Sequence, residues 1–216
     1  QLRRTRNVQI LVPIMGALRA LVEAWGAWCQ DPDWTDEPLV DEDDESVEFL
    51  VELLRKSEQG LRLEVGAVLY HLCTHEYDLM VRAGEIGAIS ELVDVVKNNM
   101  QSAAVVWAVS GLCVLVTHEP HQERFAAVDG HVAMVNVLQT TQHSDVAEQA
   151  ARTLSNFMCG HKAQLQVEAA GGAQAMVSVL SKCMRGQLVQ VESLMQQVCA
   201  AICNLTFEND ANRIKV

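Results

Sequence analysis

The chain has 216 residues, half of them hydrophobic and 5% aromatic, with a formal net charge of −12. That is long enough to bury a continuous core. The charge argues against a phosphate-binding surface, which leans on Lys and Arg, and no apolar run is long enough to span a bilayer. In chain order, Val8–Cys29 reads as an amphipathic helix, with Leu11, Met15, Leu18, Val22, Trp25 and Cys29 on one stripe. Pro13 marks its regular start or a kink. Asp31–Ser46 holds nine acidic residues in sixteen and two prolines, so it reads as a loop. It is either a solvated insertion or a docking patch for a basic partner.

Regular units follow. Val47–Ser57 and Leu61–Thr74 are helices. Tyr77–Ala83 is a short one, ended by Gly84. The order recurs as Ala88–Lys97, Ala103–Thr117 and His121–Ala127, and again as His131–Gln139, Asp145–Cys159 and Gln164–Ala170. Ala173–Cys183 and Val189–Phe207 form the last pair, joined by an enlarged connection around MRGQ. NDANRIKV opens another short helix. Leu72 to Gly87, Leu115 to Gly130 and Phe157 to Gly172 are each fifteen residues, and those glycines stand 43 and 42 apart. A period in the low forties marks stacked repeats, because three such helices cannot bury their apolar faces alone. Three ladders define the shared interior: Val65, Ala108, Ala150 and Val198; Leu69, Leu112, Leu154 and Ile202; Leu72, Leu115, Phe157 and Leu205.

The residues of this unit resemble the armadillo repeat. TLSNF (Thr153–Phe157) and AICNL (Ala201–Leu205) match its third-helix ending. EAAGGAQAMVSVL and EIGAISELV match its turn and second helix, and ANRI (Ala211–Ile214) its N-R-x-I start. HEAT repeats are the main competitor; the turn glycines and the short first helix favour armadillo. The resemblance covers about residues 45 to 216. It implies an all-α fold, a right-handed α-solenoid with three helices per repeat of about 42 residues. The organisation it suggests is a helix over 1–30 acting as cap or degenerate repeat, an acidic loop over 31–46, and an array of about four repeats over 47–216 that continues further.

The resemblance also implies a concave groove lined by the third helices, where peptide-binding members carry an Asn ladder. An amide side chain both donates and accepts, so it pairs with a peptide unit whatever the ligand's side chains. The ladder positions here are His71, Val114, Asn156 and Asn204, of which only the last two match. Importin-α places a Trp four residues earlier; here those positions are Ala67, Ser110, Arg152 and Ala200, so nuclear-import cargo binding is not expected. One turn further back stand Glu64, Trp107, Gln149 and Gln197. Trp107 with Val114 reads as an apolar patch, and Arg152, Asn156, Gln197 and Asn204 as a polar strip. The candidate ligand is a partner segment with an apolar anchor near Trp107 and its backbone on Asn156 and Asn204. The alternative is that Trp107 packs within the stack and each Asn caps its own helix end.

No catalytic, metal or cofactor site is expected. His71 and His75 share a helix face from which Cys73 points away. His75 and His118 recur within Thr-His-Glu, and His118 and His121 bracket a proline as exposed loop residues. The Asn204-Leu205-Thr206 sequon falls inside a helix. Seven cysteines make no CxxC pair; Cys73, Cys113, Cys159, Cys199 and Cys203 read as small buried hydrophobes in a reducing, cytoplasmic compartment. Two functions remain open. One is a non-catalytic scaffold binding a partner protein's extended or helical segment, with no nucleic acid and no small-molecule substrate. The other is a structural subunit fixed in a large assembly through its convex face, edges and acidic loop. Membrane attachment enters only indirectly or through a lipid on a segment ahead of Gln1, at an organelle surface; Arg3, Arg4 and Arg6 are too few to anchor the chain.

Overall fold

The computed structural model describes residues 14–20 and 46–214. Most of the Val8–Cys29 helix and the acidic loop therefore lie outside the described residues. Residues 14–20 are helical (α1). The array then runs through α2 (Ser46–Lys56), α3 (Gln59–His75), α4 (Tyr77–Glu85), α5 (Ala88–Asn99), α6 (Val106–Leu115), α7 (Glu119–Ala127) and α8 (Gly130–Thr140). It continues through α9 (Ser144–Phe157), α10 (His161–Ala169), α11 (Gly172–Met184), α12 (Glu192–Thr206) and α13 (Asp210–Arg213). Among the described residues there is no strand.

Each second and third helix packs on its counterpart one repeat away. The third helices α3, α6, α9 and α12 stack most extensively; α2, α5, α8 and α11 form a second layer, with the short α4, α7 and α10 across the ends. The ladders form the interior: Val65, Ala108, Ala150, Val198, Leu112, Leu154 and Leu205 are fully buried. Ile202 is half-buried against the same core. In α9 the inward positions Ala147, Ala150 and Ala151 are small and fully buried, which lets α6 and α12 approach from both sides.

Several boundaries shift for identifiable reasons. The sequence expects one helix from Ala103, but its first turn is a 3-10 turn over Ala103–Val105, capped by the Ser102 hydroxyl accepting from the Ala104 N–H at 3.3 Å. Gly84 does not end a helix. It lies buried within α4, and a Cβ there would meet the His121 ring at 2.2 Å. The backbone reversal that does need a left-handed residue sits at Gly87 (φ 103°), Asp129 (φ 56°) and Gly171 (φ 85°), each just before a second helix. That register is an even 42, so Gly130 and Gly172 are one residue inside their helices. The extra residue of the first unit lies at the end of α3, where His75 is still helical; His118 instead precedes α7, so the two histidines are not equivalent.

His121 is fully buried, not an exposed loop residue. Its Nδ1–H donates to the Leu115 carbonyl at 2.9 Å, tying α7 to the end of α6. Burial lowers its pKa, with the bond to Leu115 opposing, and burial likewise lowers that of His131, with Asp129 opposing. In both cases the unfolded chain takes up protons more readily, so stability is full above about pH 6.5 and declines as pH falls below it. Between pH 7.5 and 5.5, where carboxylates stay ionised, Tm should therefore drop. His121→Gln should reduce that drop, as read by circular dichroism melts at the two pH values.

The cysteines divide. Cys73, Cys113 and Cys183 are buried, and burial pushes the Cys73 thiol up to about 12. Cys159, Cys199 and Cys203 are exposed, contrary to the expectation of burial. Cys159 stands beyond the end of α9, and the other two lie on the open side of α12.

Candidate partner-binding groove

The solvent-facing stripe of α9 consists of Asp145, Glu148, Gln149, Arg152, Ser155 and Asn156, spaced at three and four residues. Its counterpart on α12 carries Ser193, Gln196, Gln197, Ala200 and Asn204. Gln149, Gln197, Asn156 and Asn204 are half-buried, and Arg152 is exposed with no ion pair among the described residues. On α3 and α6 the stripe is more closed. Ala67 and Ser110 are buried, while Glu64, His71, Trp107 and Val114 keep partial exposure.

The two asparagines behave alike. Asn156 Nδ2 donates to the Cys113 carbonyl at 3.2 Å, and Asn204 Nδ2 donates to the Ser155 carbonyl at 3.0 Å and to the Ser155 hydroxyl at 2.9 Å. Both acceptors belong to the last turn of the preceding third helix, where carbonyls lack intrahelical partners. Each Asn thus caps the helix of the repeat before, not its own. Its Oδ1 takes no hydrogen bond among the described residues.

A second row, which the sequence reading missed, holds these asparagines in place. Gln122 Nε2 donates to the Asn156 carbonyl at 3.3 Å, and Gln164 Nε2 donates to the Asn204 carbonyl at 2.9 Å. The signal was present: Gln122 and Gln164 stand 42 apart, each seven residues beyond Leu115 or Phe157.

On the α3 and α6 part of this surface, Trp107 sits in a cluster. Its ring lies 5.4 Å from His71 and 5.9 Å from Tyr70. Arg19 of α1 places its guanidinium carbon 5.7 Å from the Trp107 ring centre, and its Nη1 donates to Glu64 Oε2 at 3.1 Å. The structure puts a cation, rather than an aliphatic group, on this indole. Val114 packs on the core beneath.

Open hollows of about 520 Å³ (Val177, Ser181, Lys182, Arg185) and 460 Å³ (Glu119, Gln122, Lys162, Gln166) lie on other faces. Among the described residues, no group of three or more His, Cys, Asp or Glu side chains could hold a metal ion. No described helix is long and apolar enough to cross a membrane.

No family model matches the chain, nor does any curated protein. Solved structures do. One is a designed armadillo repeat protein in complex with the peptide (KR)4: 18% identical, TM-score 0.62, covering 74% of this chain and 64% of that one. Another is a computationally designed armadillo repeat protein for modular peptide recognition: 16% identical, TM-score 0.65, covering 92% and 82%. A third is an engineered protein, 21% identical with TM-score 0.63, matched over 74% of this chain, which spans only 37% of that protein's length. Identities this low speak to fold, and on fold they agree with the layers and ladders above: the chain is an α-solenoid of armadillo-type repeats.

Proposed function

We propose that the protein is a non-catalytic scaffold that holds an extended segment of a partner protein along α6, α9 and α12. The observation that carries this reading is the matched pair Asn156 and Asn204. Each is anchored by its NH2 group to the preceding helix, and each presents an acceptor oxygen on the solvent-facing stripe. Two such oxygens on adjacent stacked helices suit alternate backbone N–H groups, which share one side of an extended strand. Both polar neighbours, Gln149 and Gln197, can serve the same backbone. The likeness to a designed armadillo repeat protein in complex with a peptide supports a peptide segment as the ligand. Arg152, exposed beside Asn156, favours a ligand with an acidic residue at that step.

The test is selection of 12-residue peptides from a displayed random library on the full chain, followed by anisotropy titration of a selected, fluorescein-labelled peptide. Asn156→Ala and Asn204→Ala should each weaken binding about tenfold, the effect of ~1.4 kcal/mol. Unchanged affinity in the double variant would exclude the groove.

A further inference from the structure

We propose that the solvent-facing side of α11, at its C-terminal end, docks an acidic segment of a partner protein, with Lys182 and Arg185 taking its carboxylates. This surface is separate from the groove, because α11 belongs to the second layer and the groove to the third helices. A hollow of about 520 Å³ opens there, lined by Ser178, Ser181, Lys182, Arg185 and Gln187. None of its lining residues is acidic. From Ala169 to Val191 the sequence holds no Asp or Glu, and its only charges are Lys182 and Arg185, in a chain of net charge −12.

Both cations are uncommitted. Elsewhere Arg55, Lys56, Arg62, Arg82 and Arg213 each meet a carboxylate. The Arg185 guanidinium makes no hydrogen bond or ion pair among the described residues. Lys182 Nζ donates to the Gln139 carbonyl at 3.1 Å, which positions it, leaves its charge unmatched and leaves N–H groups for a ligand. The connection to α12 builds the wall beside them. Leu154 to Ile202 spans 48 residues where Leu112 to Leu154 spans 42, and the added length folds back on α11. Gly186 turns it in the left-handed conformation at φ 66°, the Gln187 N–H donates to the Lys182 carbonyl at 3.0 Å, and Leu188 is buried.

The site does not depend on what stacks beyond α12. Val177 borders the hollow, but its register mates Val93 and Val135 are buried, so it is left out of the site. The mates of Ser181 and Lys182 are Lys97 and Asn98 on α5, and Gln139 and Thr140 on α8; all four are exposed although a repeat follows each. The spacing suits an extended acidic segment. Arg185 continues the last turn of α11, its N–H donating to the Ser181 carbonyl at 3.1 Å. Residues three apart on a helix stand about 5–6 Å apart at Cβ. Alternate residues on one side of a strand are about 6.6 Å apart, within reach of two such long side chains. A phosphate suits the place less, because its charge is concentrated and the negative end of the α11 dipole lies there.

The probe is a fluorescein-labelled, N-acetylated peptide of three Glu-Ala pairs, titrated by anisotropy against the full chain; the same peptide with Gln for Glu is the neutral control. The acidic peptide should bind saturably and release as salt rises, and the neutral one should not bind. Lys182→Gln with Arg185→Gln should weaken binding by about tenfold or more. Arg185→Gln alone should act in the same direction; because Arg185 is exposed beyond the end of α11, this variant keeps the fold, as a circular dichroism melt checks. Arg152→Gln, which removes the unpaired cation of the groove, should leave affinity unchanged, as should Asn156→Ala with Asn204→Ala. Unchanged affinity in the Lys182 and Arg185 double variant would overturn the proposal. So would a loss in Arg152→Gln equal to that in the double variant, equal binding of the neutral peptide, or displacement by inorganic phosphate at the concentration of the acidic peptide. Failure of the groove reading would show only in the library-selected peptides and their response to the asparagine variants.

Discussion

Leu112→Asp is expected to abolish cooperative unfolding. Leu112 is fully buried between Leu69 and Leu154 in the central ladder. Removing its methyl groups alone costs about 2–5 kcal/mol. The carboxylate adds the penalty of an unpaired charge in an apolar interior, several kcal/mol more. Together these reach the whole stability of an ordinary domain, about 5–15 kcal/mol. Because repeats hold one another through their shared faces, the damage spreads to neighbours. Hydrogen exchange should show lost protection in α3 and α9 as well as α6. Leu165→Asp is the control: Leu165 is 48% exposed on α10, and the same charge there should change stability by less than about 0.5 kcal/mol. A folded, cooperative Leu112→Asp protein would mean that the ladders are not the core.

The second large effect comes from one methyl group. Gly84→Ala should destabilise by about 3 kcal/mol, measured by urea unfolding, at the upper end for overpacking. Its Cβ would fall 2.2 Å from His121 Cε1 and 2.3 Å from Nε2. The ring has little room to retreat, since it is fully buried and bonded to the Leu115 carbonyl. Moving it also breaks that bond and loosens α7. Gly60→Ala should do the opposite. Gly60 is exposed in α3 with nothing within 4 Å of a new Cβ, so the gain in helix propensity stabilises by about 0.5–1 kcal/mol. Opposite signs for one substitution in two helices test packing rather than propensity.

The contrast shows what the sequence could say. The three ladders, the helix order and the turn positions follow from periods of 3.6 and about 42, and the helices stand where those periods put them. What the periods could not reveal was packing between residues far apart in the chain. Gly84 looked like a helix stop because its partner, His121, lies on the next short helix. His121 looked like a loop residue because Pro120 precedes it; Pro120 instead occupies the first turn of α7, where no N–H is needed. Cys199 and Cys203 fit the helical pattern of α12, but pattern alone does not say which face stays open.

The candidate groove was legible to a similar depth. The stripe containing Gln149, Arg152 and Asn156 faces solvent as its spacing required. The asparagines' attachment to the preceding helix could not be read, because it depends on how far α9 and α12 advance along their neighbours. Nor could Arg19 be linked to Glu64 across 45 residues that include the acidic stretch.

The asparagine caps make the array unequal along its length. The seams between α6 and α9, and between α9 and α12, are latched by a side chain that must let go before the helices slide. Between α3 and α6 the corresponding residue is Val114, whose isopropyl group has nothing to latch with. That joint is held by the Trp107 ring against Tyr70 and His71, a contact that can slide where the others must unlatch. Changes in the pitch of the superhelix should gather there, beside Trp107, leaving the spacing between Asn156 and Asn204 as the stiff end of the ruler.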